Sequence, residues 1–192
     1  MTGFSTPFFK SASLRSALAT LLLGLWAWTA LADGIQAVSG ALTEGEEAYV
    51  LNAEFDIAVN PTLEEALAKG LPLYFVTELE VVRPRWYWLD EKVLSYQQTS
   101  RLSYNALTRQ YRLSTGAFHQ NFPALSDALN VLQRVRNKPV LEKGALRKDA
   151  SYAAALRLRL DVSQLPKPFQ LNALASKEWS LASEWLRWTV TP

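Results

Sequence analysis

Apolar and polar residues alternate along most of this chain, and helical spacing interrupts the alternation only briefly. Tyr49, Leu51, Ala53, Phe55, Ile57 and Val59 alternate with Asn52, Glu54 and Asp56. That is the period of a strand with one buried and one wet face. Leu73 to Val82 repeats it, with Leu73, Phe75, Leu79 and Val81 opposite Glu78 and Glu80. Tyr152, Ala154, Leu156, Leu158 and Leu160, opposed by Arg157, Arg159 and Asp161, give the clearest strand, and a last one is expected from about Glu184 to Val190. Between these, Asp90-Glu91-Lys92 reads as the turn that sends Trp86-Tyr87-Trp88 back as a hairpin toward Val93 to Gln98. Arg101 to Tyr104 and Thr108 to Leu113 read as a further pair of short strands.

Two segments carry helical spacing. Asn60-Pro61-Thr62 starts the first, with Pro tolerated in the first turn and Thr62 and Glu65 spaced as a capping box; Gly70 and Pro72 end it. Phe122-Pro123 opens the second, where Leu125, Ala128, Leu129 and Leu132 share one face. Leu165-Pro166-Lys167-Pro168-Phe169 cannot be a central strand, because two prolines remove ladder donors, and it reads as a loop. Strands in runs with two short amphipathic helices predict an α+β domain, mainly antiparallel and sandwich-like, over residues 49–192. Leu63-Glu64-Glu65-Ala66-Leu67 echoes Leu125-Ser126-Asp127-Ala128-Leu129, a faint hint of two strand–helix–strand halves resting on few positions.

The first residues break the pattern. Lys10 and Arg15 precede an apolar run from Ala17 to Ala32 that closes on Ala30-Leu31-Ala32. A basic region, an apolar region and small residues are the three parts of a secretory leader, so residues 1–32 are expected to be removed between Ala32 and Asp33. A permanent anchor is the alternative, but a spanning helix needs about 20 apolar residues and this run is shorter. Residues 33–48, polar and glycine-bearing, are expected to be a flexible lead-in. The expected location is the periplasm, with no stable membrane insertion once the leader is gone.

Removing the leader changes the charge balance. The chain has 20 basic and 18 acidic residues, and the leader holds two of the basic ones. A balanced mature chain has no overall field to gather nucleic acid, and export argues against that partner as well. The chain has no cysteine, which excludes disulfides, thiol nucleophiles and iron–sulfur ligation.

Candidate chemistry is sparse. His119 is the only histidine, expected in a polar turn, and no zinc, nucleophile-elbow or phosphate-loop motif occurs. No cofactor, metal site or catalytic residue is therefore expected. Glu78 and Glu80 project from one strand face about 7 Å apart, within reach of an inverting glycosidase pair, although a solvated strand face explains them more simply. The more unusual string is Arg83-Pro84-Arg85-Trp86-Tyr87-Trp88, because fork-shaped donors beside rigid aromatics are the residue types of interface hot spots. Arg83, Arg85, Trp86 and Trp88, with Lys167 and Phe169 of the proline-rich loop, are the candidate binding residues. Arg101, Arg109, Arg112, Arg157 and Arg159 extend the patch if a sheet brings them together.

The strings Arg83-Pro84-Arg85-Trp86-Tyr87-Trp88-Leu89-Asp90-Glu91, Leu102-Ser103-Tyr104-Asn105-Ala106-Leu107-Thr108-Arg109-Gln110-Tyr111 and Leu160-Asp161-Val162-Ser163-Gln164-Leu165-Pro166-Lys167-Pro168-Phe169-Gln170 occur here in this order. In them the chain resembles a family of small exported proteobacterial proteins, the domain of unknown function 4390 family. The resemblance implies an envelope protein with no established activity and no catalytic residues to carry over. Its members' frequent proximity to genes for membrane sensor kinases of the nitrogen-regulation type implies an accessory to signalling. The expectation is a non-enzymatic module that docks an envelope protein, for example a sensor kinase ectodomain. A carrier of a small apolar or anionic ligand in an arginine-lined cavity is the alternative, and a carboxylate hydrolase of envelope sugars a remote one.

Overall fold

A strand with one apolar face must lay that face against another, and this chain does so by pairing two antiparallel sheets. The computed structural model describes residues 34–192 except Trp88. Residues 1–32, expected to be a leader, and the Ala32–Asp33 junction lie outside the described residues. The strands are β1 Ile35–Glu44, β2 Ala48–Ile57, β3 Leu73–Arg83, β4 Glu91–Asn105, β5 Gln110–Thr115, β6 Phe118–Phe122, β7 Arg134–Glu142, β8 Tyr152–Leu160 and β9 Leu186–Val190. The helices are α1 Pro61–Ala68, α2 Leu125–Leu132 and α3 Lys167–Ala175. A three-stranded sheet runs β1-β2-β7, and a six-stranded sheet runs β6-β5-β4-β3-β8-β9. The fold is the expected α+β arrangement of antiparallel sheets.

The core lies where the alternating faces meet. Leu51 of β2, Leu73, Phe75, Leu79 and Val81 of β3, Leu102 of β4, and Leu156 and Leu158 of β8 are all shut off from solvent. At about 1.5–3 kcal/mol per buried apolar side chain, this cluster is the main stabilising force. The helices join the layers: α1 leads from β2 to β3, α2 leads back from β6 to β7, and Leu63 and Leu67 of α1 enter the same core.

Several boundaries differ from the sequence reading. Residues 35–44, expected within the lead-in, form β1, which pairs with β2 from Ile35↔Ile57 to Glu44↔Tyr49. A register shift between Ala37 and Ser39 hides its alternation. The α1 cap is Asn60, not Thr62: the Asn60 side chain accepts from Leu63 N–H at 3.0 Å, and Thr62 Oγ1 donates to Glu178 Oε2 at 2.9 Å. Lys167–Ala175, read as loop, is a third helix, since a proline that cannot serve a sheet fits the first turn of a helix. His119 stands exposed on β6, not in a turn. β7 escaped notice because it is an edge strand with Pro139 in it and little alternation. β4 is continuous where two short strands were expected, and Asn105 Oδ1 caps its turn by accepting from Leu107 and Thr108 N–H.

One contact shows how closely the sheets approach. A Cβ built on Gly40 of β1 would lie 2.9 Å from the Trp188 ring of β9 and 3.3 Å from Leu156 of β8. Gly40→Ala is therefore expected to cost about 1–2 kcal/mol by overpacking. Thermal denaturation should show Trp188→Leu in the Gly40→Ala background recovering part of that loss. Two purely additive losses would mean that Gly40 and Trp188 do not share this constraint.

Candidate functional site

The string that dominated the sequence reading is the closed end of the β3–β4 hairpin. The strands pair as far as Arg83↔Glu91, after a register shift between Val81 and Val82 that increases local twist. Pro84 has no N–H to continue the ladder, so the chain turns over residues 84–90. The turn is thus one segment earlier than Asp90-Glu91-Lys92: Glu91 begins β4, and Trp86 and Tyr87 sit in the turn itself.

Charge braces the base of this turn. Arg83 and Arg85 both donate through Nη2 to one oxygen, Oε2 of Glu91. The hydrogen bond from Arg85, then that from Arg83 and the two positive charges, hold the Glu91 carboxyl below its ordinary range against a smaller opposing effect of burial. Beyond the brace, Trp86 is 95% exposed, Tyr87 68% and Leu89 82%. Trp86 and Tyr87 meet edge to face at 5.0 Å, which stiffens the pair. Two such rings hold on the order of 300 Å² of largely apolar surface in water, the scale of the largest patch on a typical monomer, which is often functional. Trp88, the remaining aromatic candidate, lies outside the described residues.

Lys167 and Phe169 do not join this surface. Both are exposed on α3, which follows β8, and the β8 end at Leu160 pairs with Phe75. At about 3.3 Å per residue, the stretch of β3 from Phe75 to Arg83 puts roughly 26 Å between the two regions. The six candidate binding residues therefore do not form one interface.

Sequence alternation also placed Glu78 and Glu80 on one face, and they are there, but neither is free. Glu78 is only 5% exposed. Arg157 donates through Nε to its Oε2, Arg159 through Nε to its Oε1 at 3.0 Å, and Gln97 Nε2 approaches Oε1 at 3.4 Å. Arg159 reaches Asp161 as well, at 3.5 Å, and the Arg157 guanidinium stacks 4.3 Å from the Trp185 ring centre. Burial pushes the Glu78 carboxyl up, but the hydrogen bonds and charges of Arg157 and Arg159 outweigh it and hold it below its ordinary value. A carboxyl held ionised is poorly suited to donate a proton. Glu80 pairs with Lys92 Nζ at 3.0 Å. Alternation had already put Asp161 on the face of Arg157 and Arg159, but the Trp185 stack had no signal in strand periodicity, because Trp185 lies just before β9 and reaches Arg157 across the sheet.

Open grooves mark the surface of the described residues. One of about 430 Å³ runs over the three-stranded sheet between Glu54 and Arg134–Asn137; another of about 420 Å³ lies between Arg159 and the Lys177–Ala182 segment, with Trp179 in its wall. A smaller one lies between Asn60 and Glu178. Among the described residues no group of three or more metal-ligating side chains converges, and no helix is long and apolar enough to cross a membrane.

Fold and site together define an α+β protein of two antiparallel sheets that presents a braced, aromatic-tipped hairpin. The chain belongs to the family described as domain of unknown function (DUF4390), whose profile matches residues 32–189. No curated protein and no solved structure matches it. The strings that carry the family resemblance fall at three changes of chain direction: the hairpin tip, the β4–β5 turn and the passage from β8 into α3.

Because its carboxyl is held below the ordinary 4.5, Glu78 contributes stability that is present above that pH and is lost as pH falls through the folded-state value. Glu78→Gln leaves Arg157 and Arg159 partly buried without their shared counter-charge, and is expected to cost about 2 kcal/mol at neutral pH. Denaturant melts between about pH 6 and 3 should show the variant losing less stability on acidification than the parent. Equal slopes would mean that the pairing is not ionic.

Proposed function

We propose that this protein is a non-enzymatic, exported interaction module of the periplasm that docks an envelope protein through the tip of its β3–β4 hairpin. The observation that carries the reading is the exposure of Trp86, Tyr87 and Leu89 beyond a paired arginine–glutamate base. Apolar rings held outward on a stiff hairpin leave unused binding surface, and preorganisation reduces the entropy that a partner must overcome. The implied gene neighbourhood of the family favours a membrane sensor kinase ectodomain as the partner. The basic, apolar and small-residue succession ending at Ala32 supports export.

Because both rings project into water, Trp86→Ala with Tyr87→Ala is expected to leave the melting temperature within about 2 °C of the parent. A photoreactive residue at position 87 should crosslink to a specific membrane protein in the cell, and Trp86→Ala in the same chain should abolish the adduct. No adduct, or one indifferent to Trp86, would remove the hairpin from the interface. Recovery of the protein from the periplasm with Asp33 as its first residue would support export, whereas a retained leader would argue for an anchored form.

A second reading, a carrier for a small anionic ligand, is favoured by the groove in which Arg159 and Lys177 flank Trp179. Gentle native mass spectrometry of protein drawn from its own compartment would reveal a bound mass that Lys177→Ala releases. A bare protein mass would count against it.

A further inference from the structure

The outer face of the six-stranded sheet carries an organised feature that the hairpin does not use. Strand pairing fixes where its arginines stand. Arg187 on β9 is in register with Ala155 and, through it, with Glu80 of β3. Arg157 is in register with Glu78, Arg159 with Val76, and Arg101 of β4 with Tyr74. Arg112 of β5 pairs with Ser103, which lies one alternate position beyond Arg101. Each arginine is thus displaced from the previous one by two residues along the strand direction, and the row steps across β9, β8, β4 and β5. With strands about 4.8 Å apart and about 3.3 Å per residue, neighbours in the row are roughly 7–12 Å apart and the whole diagonal spans about 30 Å.

Arg101, Arg112 and Arg187 are exposed, whereas Arg157, stacked on Trp185, and Arg159 are half-buried at the centre of the row. Ser95, Gln97 and Thr99 of β4 share the face and are exposed, and Ala153 and Ala155 of β8 raise no bulk beside it. Glu78 and Asp161 offset Arg157 and Arg159 at its centre, and Glu80 is occupied by Lys92. The outer members are different: Arg101 lies over the Tyr74 ring, Arg112 Nε donates to the neutral Asn121 Oδ1, and Arg187 is exposed with no ion pair among the described residues. The row therefore keeps an excess of positive charge at both ends.

We infer that this diagonal is a docking track for an extended acidic segment of a protein partner. The row already binds carboxylates, since Glu78 and Asp161 are taken by its two central members through guanidinium N–H groups. Alternate side chains of an extended peptide recur about every 7 Å, close to the shorter steps of the row, and arginine forks match carboxylates in shape. A twisted sheet presents a narrow diagonal that a peptide follows more easily than a flat anionic bilayer can. The track is separate from the hairpin tip, so it stands or falls on its own.

The test is fluorescence anisotropy of a labelled peptide of about ten residues, alternating glutamate and serine, with the purified protein. Binding is expected to weaken at least tenfold in Arg101→Ala/Arg112→Ala/Arg187→Ala, and to weaken markedly as salt rises from about 0.05 to 0.3 M. An equal charge change on the other sheet, Arg134→Ala/Arg136→Ala/Lys138→Ala, should leave it within about twofold, as should Trp86→Ala/Tyr87→Ala. No binding of the peptide, or equal loss in both arginine variants, would overturn the inference. Tighter binding to phosphatidylglycerol vesicles, lost in the same triple variant while the peptide fails, would assign the row to a lipid surface instead.

Discussion

The two-sided demand on β3 constrains the rest of this protein. As an inner strand of the six-stranded sheet it pairs with β4 and β8, so its backbone is satisfied only if both neighbours form. One of its faces contributes Leu73, Phe75, Leu79 and Val81 to the core; the other carries Glu78, which needs Arg157 and Arg159 from β8. The apolar face supplies most of the stabilisation, whereas the charged face specifies alignment. A slip of β8 by one residue would turn Arg157 and Arg159 inward and expose Leu156 and Leu158.

Both candidate surfaces derive from that strand. At its end, Pro84 stops the ladder and projects the aromatics beyond it; along its outer face, register with β4 and β8 sorts the arginines into a line. The surfaces differ in physics. The hairpin tip offers apolar area with its charges internally neutralised, which favours residence time, while the arginine row offers charge in water, which favours encounter and selectivity.

The alternation that marked β2, β3 and β8 was readable because each has one face in the core throughout. Where a strand is bulged, like β1, or lies at an edge with a proline, like β7, that regularity is lost and the sequence is ambiguous. The Arg83–Trp88 string stood out by composition, but alternation treats a strand and the turn that follows it alike, so Trp86 and Tyr87 seemed strand residues until the Arg83↔Glu91 pair located the turn. The separation of Lys167 and Phe169 from the hairpin was illegible, because it depends on which end of β3 the end of β8 meets. The arginine line was half legible: its members could be named, but not their order across the sheet.

The order in which the strands are synthesised bears on how the protein reaches its final form. The β3–β4 pair is local and can close soon after it is made. The three-stranded sheet cannot, for β2 must wait for β7, and Asn137 N–H reaches Asn52 Oδ1 across 85 residues of intervening chain. Until that late arrival, β2 has an unsatisfied edge. Chains dominated by such distant pairings fold in milliseconds to seconds, an interval in which the half-built layer is a site for mispairing and a natural target for chaperones.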